Sequence, residues 1–161
     1  MTSSIVTTPA GEPVILIERI FEAPRALVFR LVTDPFHLAQ FHGPHGVTNT
    51  ISEMDVRPGG YWRQVMRFPD GSEYPLTNVY LEVAEPERLV YRDAPHGSTD
   101  ELADLPPALL VTSFFFDDLG GKTRLRAQAR VTSLAARLGA MGFAEAMCQG
   151  NEKLAAYLTT L

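Results

Sequence analysis

Residues 123–131 (TRLRAQARV) alternate strictly between apolar and polar positions. Leu125, Ala127, Ala129 and Val131 fall on one side, and Arg124, Arg126, Gln128 and Arg130 on the other. A period of two is the mark of a strand with one covered face and one wet face. The complementary period appears in the last stretch, Ser133 to Leu158. There Leu134, Leu138, Met141, Ala144, Met147, Asn151, Leu154 and Leu158 recur at three- and four-residue steps. The spacing predicts one long helix, capped by Ser133. A second line along it is small: Gly139, Gly142, Ala146 and Gly150. Each interior glycine costs roughly 1 kcal/mol relative to alanine, so the helix must be held by what it packs against. With Ala127 and Ala129 on the facing strand, small meets small. That permits either backbone contact or a ligand cavity.

The rest of the chain supplies a sheet for this helix to cover. Val14 to Phe21 reads as a first strand. Pro24 and Pro35 each suit the first turn of a short helix, over Arg25–Val32 and from Pro35 through Phe41. A meander follows: Val47–Val56, Tyr61–Phe68, Glu73–Val83, Arg88–Asp93, Leu109–Asp117 and Thr123–Val131. Its turns are rich in Gly, Pro and Asp. The order β-α-α-β-β-β-β-β-β-α predicts an α+β helix-grip fold, an antiparallel sheet curved around one long C-terminal helix. Residues 1–12 are polar and small and read as a flexible tail, leaving residues 13–161 as a single domain.

Composition narrows the function classes. The chain has 161 residues, 45% hydrophobic and 20% charged, with a net charge of −5, which argues against nucleic acid as a partner. The one cysteine, Cys148, fits a reducing, cytoplasmic setting. The N-terminal residues lack the pattern of a secretory signal, and no apolar run reaches the ~18 residues of a membrane span. No nucleotide-binding motif appears, and no cofactor or metal is expected. His37, His42 and His45 have no nearby carboxylate or cysteine to complete a zinc set.

Several segments together resemble the SRPBCC, or START-like, superfamily, in its branch named after the activator of the heat-shock-protein-90 ATPase. They include Ala23-Pro24-Arg25, Thr33-Asp34-Pro35, Gly43-Pro44, Met54-Asp55-Val56-Arg57-Pro58-Gly59-Gly60 with Trp62, Pro69-Asp70-Gly71, Pro86-Glu87-Arg88-Leu89-Val90-Tyr91 and Met141-Gly142-Phe143. The resemblance implies the helix-grip fold and an apolar ligand, including lipid, held between sheet and helix. The sequence departs from it in two places. Phe41-His42 stands where a pair of tryptophans is usual, and Gln64 stands where an apolar residue is common.

Trp62, Gln64, Met66 and Phe68 share one strand face, which the large apolar members turn inward. Gln64 then needs a hydrogen-bond partner: a water, Asn151, Tyr80 or a ligand. The expected site is a cavity between the terminal helix and the inward sheet face. Trp62, Gln64, Met66 and Tyr80 line it from one side, and Phe114 and Phe116 from the next strands. Met141, Met147 and Asn151 line it from the helix, with Phe41 and His42 at the mouth. Glu53, Asp55 and Glu82 are expected at the surface, paired with arginines. The predicted function is binding of a small, largely apolar molecule, with no assigned catalytic residue. An enzyme of cyclase, lyase or hydrolase type, using His42 and Tyr80 on a ring compound, is the alternative. A chaperone-docking module, which the family name implies, ranks third. Self-association into a homodimer through an exposed strand or the helices stays open.

Overall fold

The computed structural model describes residues 3–161. Among the described residues eight antiparallel strands form one sheet: β1 (Ile5–Thr7), β2 (Val14–Phe21), β3 (Thr48–Met54), β4 (Tyr61–Arg67), β5 (Glu73–Ala84), β6 (Arg88–Asp93), β7 (Leu110–Asp118) and β8 (Thr123–Val131). Their order across the sheet is β1-β2-β8-β7-β6-β5-β4-β3. Helices α1 (Arg25–Thr33) and α2 (Pro35–Leu38) follow β2, while α3 (Leu134–Gly139) and α4 (Met141–Leu158) follow β8. This is the α+β helix-grip architecture that the strand and helix periods predict.

The alternation in β8 sets the layers. Leu125, Ala127, Ala129 and Val131 are buried, and Arg126 and Arg130 are exposed. The register carries that inner face across the sheet, through Ile17↔Ala127, Ala127↔Phe114, Phe114↔Leu89 and Tyr91↔Tyr80 to Asn78↔Trp62. The helices cover this face. Phe29 of α1 meets Phe116 edge-on with ring centroids 5.1 Å apart. Leu154 of α4 joins the same core, and Ala144 packs with Ile15, Ile17, Ala127 and Ala129. On the outer face the 94–107 loop lies across the sheet. Tyr61 donates to the Asp100 carbonyl at 2.7 Å, and Arg92 donates to that of Pro106 at 2.6 Å. Glu53, Asp55 and Glu82 pair with Arg63, Arg57 and Arg88, as their expected surface role requires. Among the described residues no helix is long and apolar enough to cross a membrane.

Three expectations change. The tail predicted for residues 1–12 contains β1, which pairs with β2 at Ile5↔Glu18; residues 1–2 lie outside the described residues. The terminal helix is not continuous. It breaks at Ala140, where φ is −89° and ψ is 0°. Leu138 is 79% exposed, so the apolar spacing before the break does not follow the buried face. Third, the small residues do not form one ridge against the sheet. A methyl group at Gly139 or Gly142 would meet nothing within 4 Å. At Gly150 it would lie 3.3 Å from the Phe41 carbonyl and 3.5 Å from that of Gly43. Gly150 thus lets α4 approach the loop after α2, and Ala144 is the small residue that meets the sheet. Gly142→Ala should therefore raise stability by about 0.5–1 kcal/mol through helix propensity alone. Gly150→Ala should lower it by about 1 kcal/mol, because its neighbours are backbone and cannot turn aside. Thermal unfolding of the two variants checks the opposite signs.

Candidate functional site

The residues expected at the pocket mouth are built into a hydrogen-bond network. Asp34 caps α2 by accepting from the backbone N–H of Phe36 at 2.9 Å and of His37 at 3.2 Å. The chain then leaves α2 and runs between β4 and α4. Phe41 is buried there against Tyr157. Gln64, 2% exposed on β4, makes three side-chain bonds. Its Oε1 accepts from Trp62 Nε1 at 3.0 Å, and its Nε2 lies 2.9 Å from His42 Nδ1 and 2.7 Å from Asn49 Oδ1. Asn49 in turn donates to the carbonyls of His42 at 2.9 Å and Ala39 at 3.1 Å.

The directions of these bonds follow from chemistry. Indole N–H only donates, so Gln64 must present its oxygen to Trp62. Backbone carbonyls only accept, so Asn49 must present its nitrogen to them and its oxygen to Gln64. The Gln64 amide nitrogen therefore donates to His42, whose Nδ1 must be an unprotonated acceptor. Burial pushes the His42 pKa down to about 4, and the Lys153 ammonium adds to the shift. Lys153 itself donates to the carbonyls of Pro44 at 2.9 Å and His42 at 3.2 Å. A neutral imidazole with Nδ1 already engaged is a poor proton carrier near neutral pH.

The two positions that depart from the family pattern, His42 and Gln64, thus touch each other. Gln64 is satisfied by Trp62, His42 and Asn49, and not by Asn151, Tyr80 or a ligand. Asn151 instead donates to Ser4 Oγ at 3.0 Å. Met66 is buried beside Gly43, and Met141 is exposed at the start of α4. His37 meets the Tyr157 hydroxyl at 2.6 Å, and His45 meets Glu152 at 2.8 Å. Among the described residues no cluster of His, Cys, Asp or Glu could hold a metal ion.

Deeper on the inner face lies an arrangement that single residues did not announce. Tyr80, Tyr91 and Thr112 sit directly opposite one another on β5, β6 and β7, in one row across the sheet. The row continues through Ala129 to Ile15. Tyr80 and Thr112 are each 1% exposed, and among the described residues neither hydroxyl has a hydrogen-bond partner. Burial pushes both tyrosine phenols up. The Thr112 hydroxyl comes near enough to the Tyr91 phenol to offset part of that rise without completing a hydrogen bond. Trp62 stacks on Tyr80 with centroids 6.4 Å apart, and Phe114 meets Tyr91 edge-on at 5.7 Å. Phe114 is only half-buried. With Leu110, Phe143, Met147 and Cys148, which are half-buried as well, it packs against the buried cluster of Ile15, Ile17, Ala127, Ala129 and Ala144.

Of the residues expected to line the site, the structure therefore brings Tyr80, Phe114, Phe116 and Trp62 into one aromatic cluster. Met147 of α4 packs against the neighbouring cluster, which Phe114 also borders. Two open depressions, of about 80 Å³ and about 530 Å³, lie elsewhere. One is lined by Leu16, Phe115 and Arg126, the other by Arg25, Arg88 and Asp118. Between α4 and the sheet, much of the predicted space is taken by the large rings of Trp62, Tyr80 and Phe116. Tyr91, Thr112 and Asn49 were missed by sequence reasoning. The first two share the inward parity of Leu89 and of Phe114, and that signal would have found them.

The geometry has close parallels. The protein Ms6760 from Mycobacterium smegmatis superposes with a TM-score of 0.84 at 23% identity, covering 100% of this chain and 99% of that one. Protein NE0264 from Nitrosomonas europaea gives a TM-score of 0.80 at 26% identity, covering 94% of this chain and 97% of that one. A Silicibacter pomeroyi protein described as AHSA1 gives 0.74 at 22% identity over 91% and 98%. No curated protein matches the chain. The family model described as "Activator of Hsp90 ATPase homolog 1-like protein" matches residues 22–159. Nearly the whole chain is covered by that match, and the chain belongs to this family.

Proposed function

We propose that the protein binds a small, largely apolar molecule carrying one hydroxyl or carbonyl group, between the first half of α4 and the inner face of β7 and β8. The observation that carries this reading is the pair of partnerless hydroxyls, Tyr80 and Thr112, buried in one row behind half-buried Phe114. Leaving such a group unsatisfied costs about 1–3 kcal/mol. A ligand oxygen that bonded to either one would recover that cost, and its apolar body would bury area at ~25 cal/mol per Å². Phe114, Phe143 and Met147 supply the apolar wall, and methionine adapts its shape to irregular ligands. The break between α3 and α4 at Ala140 gives the wall a joint at its edge. The network of Gln64, His42 and Asn49 holds the rest of α4 in place through the loop that Gly150 and Lys153 contact.

Titrating isotope-labelled protein with 2-naphthol, followed by amide NMR shifts, tests the location. The largest shifts are expected at Thr112, Phe114, Phe143 and Met147. Shifts concentrated at Arg25, Arg88 and Asp118, in the open groove, would move the site off this face.

A further inference from the structure

In β2 the inward positions are Ile15, Ile17, Arg19 and Phe21, so an arginine stands in an otherwise apolar row. Arg19 is 9% exposed, and among the described residues its buried Nε has no hydrogen-bond partner. Among the described residues no carboxylate pairs with it. Its guanidinium carbon lies 5.6 Å from the centre of the Phe21 ring. Leu125 lies opposite on β8. On the other side, the pairing Ile5↔Glu18, continued by one step, sets Ser4 opposite Arg19. Ser4 accepts from the buried Asn151 of α4 at 3.0 Å. The nearest acids in sequence look elsewhere: Glu18 faces outward toward Arg126, and Glu22 pairs with Lys122 at 3.3 Å.

We infer that Arg19 anchors a second binding site, at the seam between β2, Ser4 and α4, for the carboxylate of a small organic acid. The buried Arg19 Nε–H without an acceptor costs stability, and the planar guanidinium fork matches a carboxylate bidentately. The neighbouring polar groups, Ser4 and Asn151, are neutral. One positive charge therefore meets a monoanion, and a phosphate dianion would bring surplus charge into the seam. This site lies four residue pairs along β2 from Ile15 and the row of buried hydroxyls, and it does not depend on the apolar site.

The test is thermal unfolding of the full chain at fixed ionic strength, in sodium acetate, sodium benzoate, sodium phosphate and sodium chloride. Acetate and benzoate should raise Tm by several degrees over chloride, and phosphate by less. In Arg19→Met the four salts should give the same Tm, and that variant in chloride should melt no lower than the unaltered protein. Arg19→Lys should keep a reduced response. If acetate and chloride act alike on the unaltered protein, or if Arg19→Met responds as fully, the site does not exist. Should Arg19→Met fail to fold, the Arg19 Nε–H resonance of the unaltered protein decides instead. Acetate should shift it, and no shift at saturating acetate overturns the proposal.

Discussion

Gln64→Leu should destabilise the protein by about 3 kcal/mol, although it places an apolar side chain in an apolar setting. Leucine fills the volume but strands three groups at once: the Trp62 indole N–H, His42 Nδ1 and Asn49 Oδ1. The stranded Trp62 N–H is buried and costs about 1–3 kcal/mol, the half-buried His42 and Asn49 acceptors cost less, and the gain in apolar burial offsets part of the sum. His42→Phe should cost less. It keeps an aromatic ring against Trp62, whose centroid lies 5.3 Å from that of His42, and it leaves Gln64 its bonds to Trp62 and Asn49. The double variant should cost less than the sum of the singles, by about 1–3 kcal/mol, because the two side chains are direct partners. Strict additivity would show that they do not act as a unit.

The same network predicts a pH dependence. In the unfolded chain a histidine titrates at about 6.5, whereas His42 in the fold titrates at about 4. The folded pKa is depressed, so protons favour the unfolded state between these values. The stability that neutral His42 contributes is complete above pH 6.5 and is lost as pH falls toward 4; because His42 is only half-buried, water screens that loss to below about 3 kcal/mol. Asp117, whose pKa is held down by its hydrogen bonds to Arg126, loses its contribution only at lower pH, within and below the usual carboxylate range. His42→Phe should therefore flatten the stability profile between pH 6.5 and 4.5 and leave the steeper acid limb in place. Denaturant midpoints across that range measure the difference.

Gly60→Ala should be the most damaging single methyl group in the chain, at about 3 kcal/mol or more. The added carbon would lie 1.9 Å from the Asp55 carbonyl oxygen and 3.0 Å from that of Arg57. Both obstacles are backbone, in a tight turn. Gly60 donates to the Arg57 carbonyl at 2.8 Å, and its own carbonyl accepts from Tyr80 at 2.9 Å. Opening the turn would thus disturb the start of β4 and the placing of Tyr80. Gly59 next to it is the control. It has φ of +84° and open space around a would-be methyl group, so Gly59→Ala should cost only about 1 kcal/mol, from the left-handed backbone. Chemical denaturation separates the two, and equal costs would contradict the close approach at Gly60.

How far the sequence discloses this molecule depends on the range of the interaction. The alternation in β8 reports a local rule, the two faces of a strand, and the layers follow from it directly. The break at Ala140 is also local, yet it is hidden. Leu134, Leu138 and Met141 keep helical spacing across it, and spacing alone does not distinguish a buried stripe from an exposed one. Gly150 was legible as a point of close approach, but its partner, the loop at Phe41 and Gly43, was not. Nothing in the order of residues says which backbone a glycine will meet. The pairing of His42 with Gln64 joins two positions that each depart from the family pattern, and only the fold makes them neighbours. Arg19 was not readable from parity, because Val14, Leu16, Glu18 and Ile20 form an alternating set as apolar as Ile15, Ile17, Arg19 and Phe21, and only the fold shows which of the two turns inward. The row of Tyr80, Tyr91 and Thr112 needs the register of three strands, which the bulge between Tyr80 and Glu82 alters.

The most direct test of the ligand site compares two probes that differ by one oxygen, naphthalene and 2-naphthol, by calorimetric titration. The unaltered protein should bind 2-naphthol about tenfold tighter, the worth of one buried hydrogen bond. In Thr112→Val combined with Tyr80→Phe, two nearly isosteric changes that remove the partnerless hydroxyls, both probes should bind equally. That variant should be at least as stable as the parent. An unchanged tenfold preference in this variant, or no saturable binding of either probe to the unaltered protein, would contradict a ligand site at this row of hydroxyls.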